Sequence, residues 1–246
     1  MISLAIPTYN RPEMTLESFA KVLDNPLISE IVIVDDHSEF SNYVKLWNAV
    51  QALNSDKIFL LRNATNLKPL RNKYEAVKSC GNEWVILLDS DNIIDNEYVN
   101  VLGKIGDLDK NTLYCPEKLI NLRGQTIWDY SEFQYGDYSE VQYDINKIAA
   151  VRNVNNGNFQ TFLNTGNYFL NRNEYLRVHE SNDISKELSI NDAMYFSYLW
   201  LKAGNNMGII PGLNYIHRVH KGSWYKNNQK ECGRATDEII KLIKQL

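Results

Sequence analysis

Over its first 90 residues the chain switches repeatedly between two hydrophobic periods. Ile2–Ile6 is a short, largely apolar run closed by Pro7. Met14, Leu16, Phe19, Val22 and Leu23 then recur at helical spacing, with Pro12 and Glu13 suited to a first turn. Glu30–Val34 is β-branched and ends in Asp35-Asp36. Tyr43, Leu46, Trp47, Val50 and Leu53 share one helical face. A third strand is expected over Lys57–Leu61 and a third helix over Arg71–Ser79, stopped by Gly81. Trp84–Leu88 reads as a fourth strand, delivering Asp89-Ser90-Asp91.

The order is β-α-β-α-β-α-β. Continuous apolar strands alternating with amphipathic helices predict an α/β fold with a mostly parallel, Rossmann-like sheet flanked by helices. Ligands of such sheets bind outside the carboxyl ends of the strands. Three of those ends carry polar groups: Thr8-Tyr9-Asn10, Asp35-Asp36 and Asp89-Ser90-Asp91.

The second half is less regular. Thr112–Cys115 and Thr126–Tyr130 are strand-like, and Thr161–Leu170 predicts another strand region. Ser189 is positioned to cap a helix from Ile190 to Ala203, closed by Gly204. Met207–Val219 is strand-like, and Thr236–Ile243 predicts a short C-terminal helix. No internal repeat or linker interrupts the chain. One domain over 1–246 is expected, with a nucleotide-type half at 1–95 and an irregular acceptor-type half at 96–246.

Charge and cysteine usage narrow the partners. A net charge of −4 speaks against a dedicated nucleic-acid binder, which carries a basic field. The longest apolar run, Trp84–Leu88, falls far short of the ~20 residues a membrane span needs, which leaves room only for peripheral membrane contact. The N-terminal segment lacks the basic region and cleavage site of a signal peptide. Cys80, Cys115 and Cys232 form no CxxC and no disulfide ladder, which points to a reducing, cytoplasmic setting.

The chemistry concentrates on Asp89 and Asp91. Two carboxylates one residue apart at a strand end can share one hard cation, and Mg²⁺ or Mn²⁺ is typically held by one or two carboxylates plus substrate phosphates. The alternative is a solvated turn, since Asp-x-Asp is common.

Four segments then fall in order: Ile6-Pro7-Thr8-Tyr9-Asn10-Arg11-Pro12, Ile31–Ser38, Leu70-Arg71-Asn72 and Leu87–Asp91. Together they resemble the family 2 glycosyltransferases of the GT-A fold. The likeness resumes at Asn191-Asp192 and at Arg218–Ser223. It implies an inverting, metal-dependent transfer of a sugar from a nucleotide diphosphate sugar to a glycan or lipid-linked acceptor hydroxyl. Pro7, Thr8 and Tyr9 would line the nucleobase and ribose pocket, and Asp36 would bond the base or ribose. Arg71 and Ser90 would lie at the nucleotide, Asp89 and Asp91 would hold Mn²⁺ or Mg²⁺, and His220 would complete the metal shell. Imidazole suits Mn²⁺ better than Mg²⁺.

Asp192 is the expected base. An inverting transfer is a single displacement, so the acceptor hydroxyl must lose its proton as it attacks. A helix N-terminus favours the anion there. Two departures stand out: the segment Asn66–Asn72 lacks the family's glycine, and Asn191 stands where a glutamate is usual. Trp224 and Tyr225 behind Gly222 suggest a flap over the sugar. Asn164–Asn167 offers amide and small groups for hydroxyls, or is an ordinary turn. His217 reads as structural and Asp35 as a strand-end cap. Two other readings stay open. Val85–Leu88 before Asp-x-Asp resembles the nucleophile strand of a haloacid-dehalogenase-like phosphatase, and a non-catalytic sugar-binding relative would keep the same fold.

Overall fold

A computed structural model describes residues 1–131, 141–143 and 163–246 of the chain. The first half follows the predicted alternation: β1 (Ile2–Thr8), α1 (Pro12–Phe19), β2 (Ile28–Asp35), α2 (Phe40–Leu53), β3 (Ile58–Arg62), α3 (Lys68–Lys78) and β4 (Trp84–Leu87). All seven residues of β1 are buried, as expected for a central strand covered on both faces. β1 pairs in parallel with β2 and β4, and β2 pairs in parallel with β3. The helices of this half are set by local chemistry. Pro12 and Pro69 occupy first-turn positions, where a missing N–H costs nothing. For α3 this moves the start to Lys68, ahead of the expected Arg71.

Beyond β4 come α4 (Asn96–Leu102), β5 (Thr112–Ile120), β6 (Thr126–Asp129), β7 (Val141–Tyr143), β8 (Tyr168–Asn171), α5 (Arg172–Glu180), a 3₁₀ turn (Leu188–Ile190), α6 (Asp192–Lys202), β9 (Asn206–Ile216), α7 (Trp224–Asn227) and α8 (Gln229–Ile243). Among the described residues the strands join one nine-stranded sheet in the order β3-β2-β1-β4-β8-β5-β9-β7, with β6 on β5. The mostly parallel centre gives way to antiparallel pairing where β8 meets β4 and β5. One sheet thus runs through both halves of the chain.

Several expectations shift. Helices α4 and α5 were not anticipated, because their signals are caps rather than long apolar stripes. Asp95 accepts from the Glu97 and Tyr98 amides, and the Asn171 side chain accepts from the Glu174 amide. Ser189 does not cap α6. It lies in the 3₁₀ turn, and the helix begins at Asp192. The strand expected over Thr161–Leu170 begins outside the described residues, and its described part becomes extended only at Tyr168. The C-terminal helix begins at Gln229, seven residues before the expected Thr236. Packing of α6 explains its all-round apolar sequence: nine consecutive residues, Ala193–Leu201, are buried. Trp200 anchors it, donating its indole N–H to the Asn206 carbonyl at 2.7 Å.

Candidate active site

The carboxyl ends of β1, β2 and β4 open on one cavity of about 520 Å³. Its rim holds unusual backbone. Of the four non-glycine residues with positive φ among the described residues, Lys68 (72°) lines the cavity, and Asn10 (54°) and His37 (60°) directly follow the lining residues Tyr9 and Asp36. Such conformations cost energy and persist only where neighbours enforce them. For Asn10 the enforcement is local. Its amide donates to Ser38 Oγ at 2.7 Å, and its Oδ1 accepts from the Glu39 amide at 2.8 Å. For Lys68 it is Asp36, which accepts from the Leu67 amide at 2.7 Å and the Lys68 amide at 2.9 Å. Asn63 Nδ2 donates to Asp36 as well, at 3.0 Å. Burial raises the Asp36 carboxyl above its ordinary value, and these three donors oppose the rise. Asp36 therefore holds the approach to α3, with Oδ2 the oxygen less engaged by the chain. Asp35 is the expected strand-end cap, accepting from the Ser38 amide at 3.0 Å.

The turn after β4 is pinned from two sides. The Asp89 amide donates to Asn167 Oδ1 at 2.8 Å, replacing the ladder bond lost at the strand end. The Asn92 amide closes the turn onto the Asp89 carbonyl at 2.9 Å. Gly166 lies against this carboxylate with φ +71°, and a Cβ there would sit 3.0 Å from Asp89 Oδ2. Only glycine meets both the left-handed backbone and the close approach.

Among the charged groups lining the cavity, Asp89, Asp91 and Asp192 are paired directly with Lys73 and Arg11. Lys73 Nζ lies 2.9 Å from Asp89 Oδ1 and 2.7 Å from Asp192 Oδ2. Arg11 Nη1 lies 2.5 Å from Asp91 Oδ2, and His220 Nε2 approaches the same oxygen at 2.9 Å. Burial, with Asp91 and Asp192 close by, pushes the Asp89 carboxyl up to about 6 despite the Lys73 ammonium. Burial also opposes ionisation of Asp91, but His220 and Arg11 override it and hold that carboxyl at about 2. For Lys73, burial works against the charge, and Asp192 and Asp89 more than compensate, so its value stands well above the ordinary one. The two aspartates of one short motif thus sit in opposite electrostatic settings.

Arg218 fastens the far wall. It is 8% exposed, and its guanidinium reaches the carbonyls of Asp91, Met14 and Ser90 and the Glu17 carboxylate. The following residues are folded over the cavity. Trp224 opens α7 and donates its indole N–H to the Ile190 carbonyl at 2.8 Å, while Tyr225 is exposed.

The expected residues fall as follows. Pro7, Thr8, Tyr9, Asp36, Ser90, Asp89, Asp91 and Asp192 line the cavity, and His220 touches it through Asp91. The Thr8 hydroxyl is taken up by Thr15 Oγ1 at 2.7 Å, so Thr8 offers the cavity its backbone. Arg71 must be corrected: it is exposed and absent from the lining, because its position on α3 faces outward. The buried cation that α3 sends to the cavity is Lys73; Lys68, at the start of the helix, borders it while exposed. His217, read as structural, lines the cavity, and burial lowers its basicity. Sequence reasoning missed Lys73, Arg11 and Arg218. Lys73 had a signal, since Leu70, Lys73 and Val77 form one buried helical stripe.

Among the described residues no three His, Cys, Asp or Glu side chains are grouped to hold a metal. The chain offers a partial shell, Asp91 and Asp89 with His220 behind Asp91, which suits Mg²⁺ or Mn²⁺ completed by phosphates and water. The cysteines Cys80, Cys115 and Cys232 are buried and free. Among the described residues no helix is long and apolar enough to cross a membrane.

Comparison with known proteins gives a consistent relationship. Among curated proteins nothing matches the chain significantly. Among solved structures the chain is similar to S. aureus TarS 1–349, with 18% identity, a TM-score of 0.65 and coverage of 98% of this chain and 64% of that one. The TarS 1–349 complex with UDP-GlcNAc gives 17% identity, a TM-score of 0.69 and 98% and 66% coverage. The complex with UDP gives 18%, 0.66, 98% and 64%. The chain therefore spans 64–66% of these TarS 1–349 chains, and the likeness is one of fold. The sequence profile described as Glycosyl transferase family 2 matches residues 3–179, well over half the chain, and the chain belongs to that family.

Proposed function

We propose that the protein transfers a sugar from a nucleotide diphosphate sugar to an acceptor hydroxyl on a glycan or lipid-linked molecule, with inversion and with Mn²⁺ or Mg²⁺. The observation that carries this reading is the meeting of Asp89, Asp91 and Asp192 in one cavity at the carboxyl ends of the strands. Family membership and the UDP-GlcNAc held by TarS 1–349 favour a UDP-sugar as the donor to try first. The three buried thiols suit a reducing, cytoplasmic setting.

The roles follow from position. Pro7, Thr8 backbone and Tyr9 border the nucleoside side of the cavity, with Asp36 Oδ2 and Ser90 beside them. Asp91 and Asp89, with His220 on Asp91, would hold the cation, which when bound neutralises the diphosphate as it departs. Arg11, paired with Asp91, supplies positive charge to the same anion, while Lys73 is taken up by Asp89 and Asp192. Asp192 stands at the first turn of α6, facing the cavity, and takes the acceptor proton as the hydroxyl oxygen attacks the anomeric carbon. The bond to the diphosphate breaks in the same step. Trp224, Tyr225 and Trp128 border the mouth and exclude water from the reacting centre.

Titration calorimetry tests the donor half of this reading. UDP should bind with Mn²⁺ and lose at least about tenfold in affinity in chelator, and Asp91→Ala should behave as the chelated wild type. Equal UDP affinity in Asp91→Ala with and without Mn²⁺, matching the wild type with Mn²⁺, would remove the metal site from the account.

A further inference from the structure

Lys73 is a cation on the buried stripe of a helix. It is 6% exposed, one turn from Leu70 at 2% and one turn from Val77 at 0%. A lysine is seldom retained in such a place unless its ammonium is paired. Here it is paired twice, and its two partners come from elements far apart in sequence. Asp89 follows β4, and Asp192 opens α6. Gly166 closes a third side, since a Cβ there would lie 3.5 Å from Lys73 Nζ. The ammonium therefore has one position, defined by both carboxylates and the glycine backbone.

Asp192 has little else to hold it. The Asn191 side chain makes no capping hydrogen bond to the first turn of α6; its amide donates to Thr236 Oγ1 at 2.8 Å and to Met194 Sδ at 3.8 Å. Among the described residues Lys73 is the one cation within ion-pairing distance of Asp192, and it takes Oδ2. Oδ1 is left for a ligand.

We propose that Lys73 is a positioning residue: by pinning Asp192 Oδ2 to Asp89, it fixes where Oδ1 meets the acceptor hydroxyl relative to the donor. The proposal rests on Asp192 being the base. A base must approach its proton to roughly 2.6–3.2 Å, and a misplacement of about 1 Å can cost about a hundredfold in rate. An aspartate at a helix end has several rotamers. The bridge selects one and ties the acceptor side of the site to the donor side.

The test compares Lys73→Met, Lys73→Arg, Asp192→Asn and the double variant Lys73→Met/Asp192→Asn. UDP release from UDP-N-acetylglucosamine in water with Mn²⁺ gives kcat and KM, and calorimetry gives UDP affinity. Lys73→Met should lower kcat by about a hundredfold while KM and UDP affinity stay within about threefold. Lys73→Arg should recover part of the rate. The double variant should be no slower than the slower single variant, because both changes act through one carboxylate. A crystal structure of Lys73→Met, or of Lys73→Arg if the first does not fold, should show the Asp192 carboxylate displaced. That arm needs no turnover.

The failures separate. If Asp192→Asn keeps wild-type kcat, the base reading fails. If Asp192→Asn is slow but Lys73→Met is not, the base stands and the positioning role is wrong. Loss of UDP affinity at unchanged kcat would make Lys73 a donor-site group and overturn the proposal. Multiplicative losses in the double variant, or an unmoved Asp192 in the crystal, would overturn it too.

Discussion

Replacing Gly166 by alanine isolates the close approach that shapes the site, because the fold supplies its own control. Gly204 also has a left-handed backbone, at φ +82°, and a Cβ there would meet nothing within 4 Å. Gly204→Ala should therefore show the backbone cost alone, about 1 kcal/mol. Gly166→Ala pays a similar cost at φ +71° and also drives a methyl to 3.0 Å from Asp89 Oδ2, whose carboxylate is already fixed by Lys73. Overpacking of this kind adds about 1–3 kcal/mol. At roughly 2–4 °C per kcal/mol for a chain of this size, the melting temperature should fall by roughly 2–4 °C in Gly204→Ala and roughly 4–16 °C in Gly166→Ala. UDP affinity with Mn²⁺ should drop at least about tenfold in Gly166→Ala, since Asp89 must move, and stay unchanged in Gly204→Ala. Differential scanning fluorimetry and calorimetry read both quantities. Equal melting temperatures, or wild-type UDP affinity in Gly166→Ala, would refute the claim that this glycine shapes the Asp89 site.

Two further perturbations probe the frame and its pH dependence. Arg218→Ala strips the donors from the Asp91, Ser90 and Met14 carbonyls and should cost about 3 kcal/mol. Glu17→Ala should cost under about 1 kcal/mol because Glu17 is 62% exposed; similar melting temperatures for the two variants would contradict this division. His179 is 7% exposed against Tyr74, Tyr175 and Phe196, and burial holds its imidazole down at about 4. Its folded value lies below its unfolded one, so stability is lost as pH falls from about 6.5 toward about 4, by up to about 3 kcal/mol. Asp89, raised from 3.8 to about 6, acts in the opposite sense, its contribution shrinking as pH rises through that window. The readout is therefore the difference between wild type and His179→Phe in urea unfolding at pH 7 and pH 4.5. The wild type should lose more, and identical pH slopes would count against the His179 assignment.

Much of the first half was legible because each strand carries its own signature and ends in its own chemistry. Ile31–Val34 followed by Asp35-Asp36, and Val85–Leu88 followed by Asp89, give both the strand and the ligand edge from a few residues. The second half hides its order. Strand β8 is four residues long and antiparallel, and α5 depends on one asparagine cap, so neither carries a strong period. The site shows the same division. Carboxylates at strand ends stand out, whereas Lys73 and Arg218 act through groups 16 to 204 residues away in sequence, and only the folded chain brings them together. Arg71 was placed by likeness to a family segment whose glycine this chain lacks, and on α3 it is exposed. The buried cation of α3 is Lys73, on the stripe with Leu70 and Val77.

The account stands on a single displacement with Asp192 as base. Proton NMR recorded from the first minutes of UDP-N-acetylglucosamine turnover in Mn²⁺ measures that directly, before the free sugar mutarotates. The donor is an α-glycoside, so inversion predicts that the β-anomer of N-acetylglucosamine appears first. Asp192→Asn should produce it at least about a hundredfold more slowly with little change in UDP affinity. An α-anomer formed first, or an undiminished rate in Asp192→Asn, would contradict the mechanism.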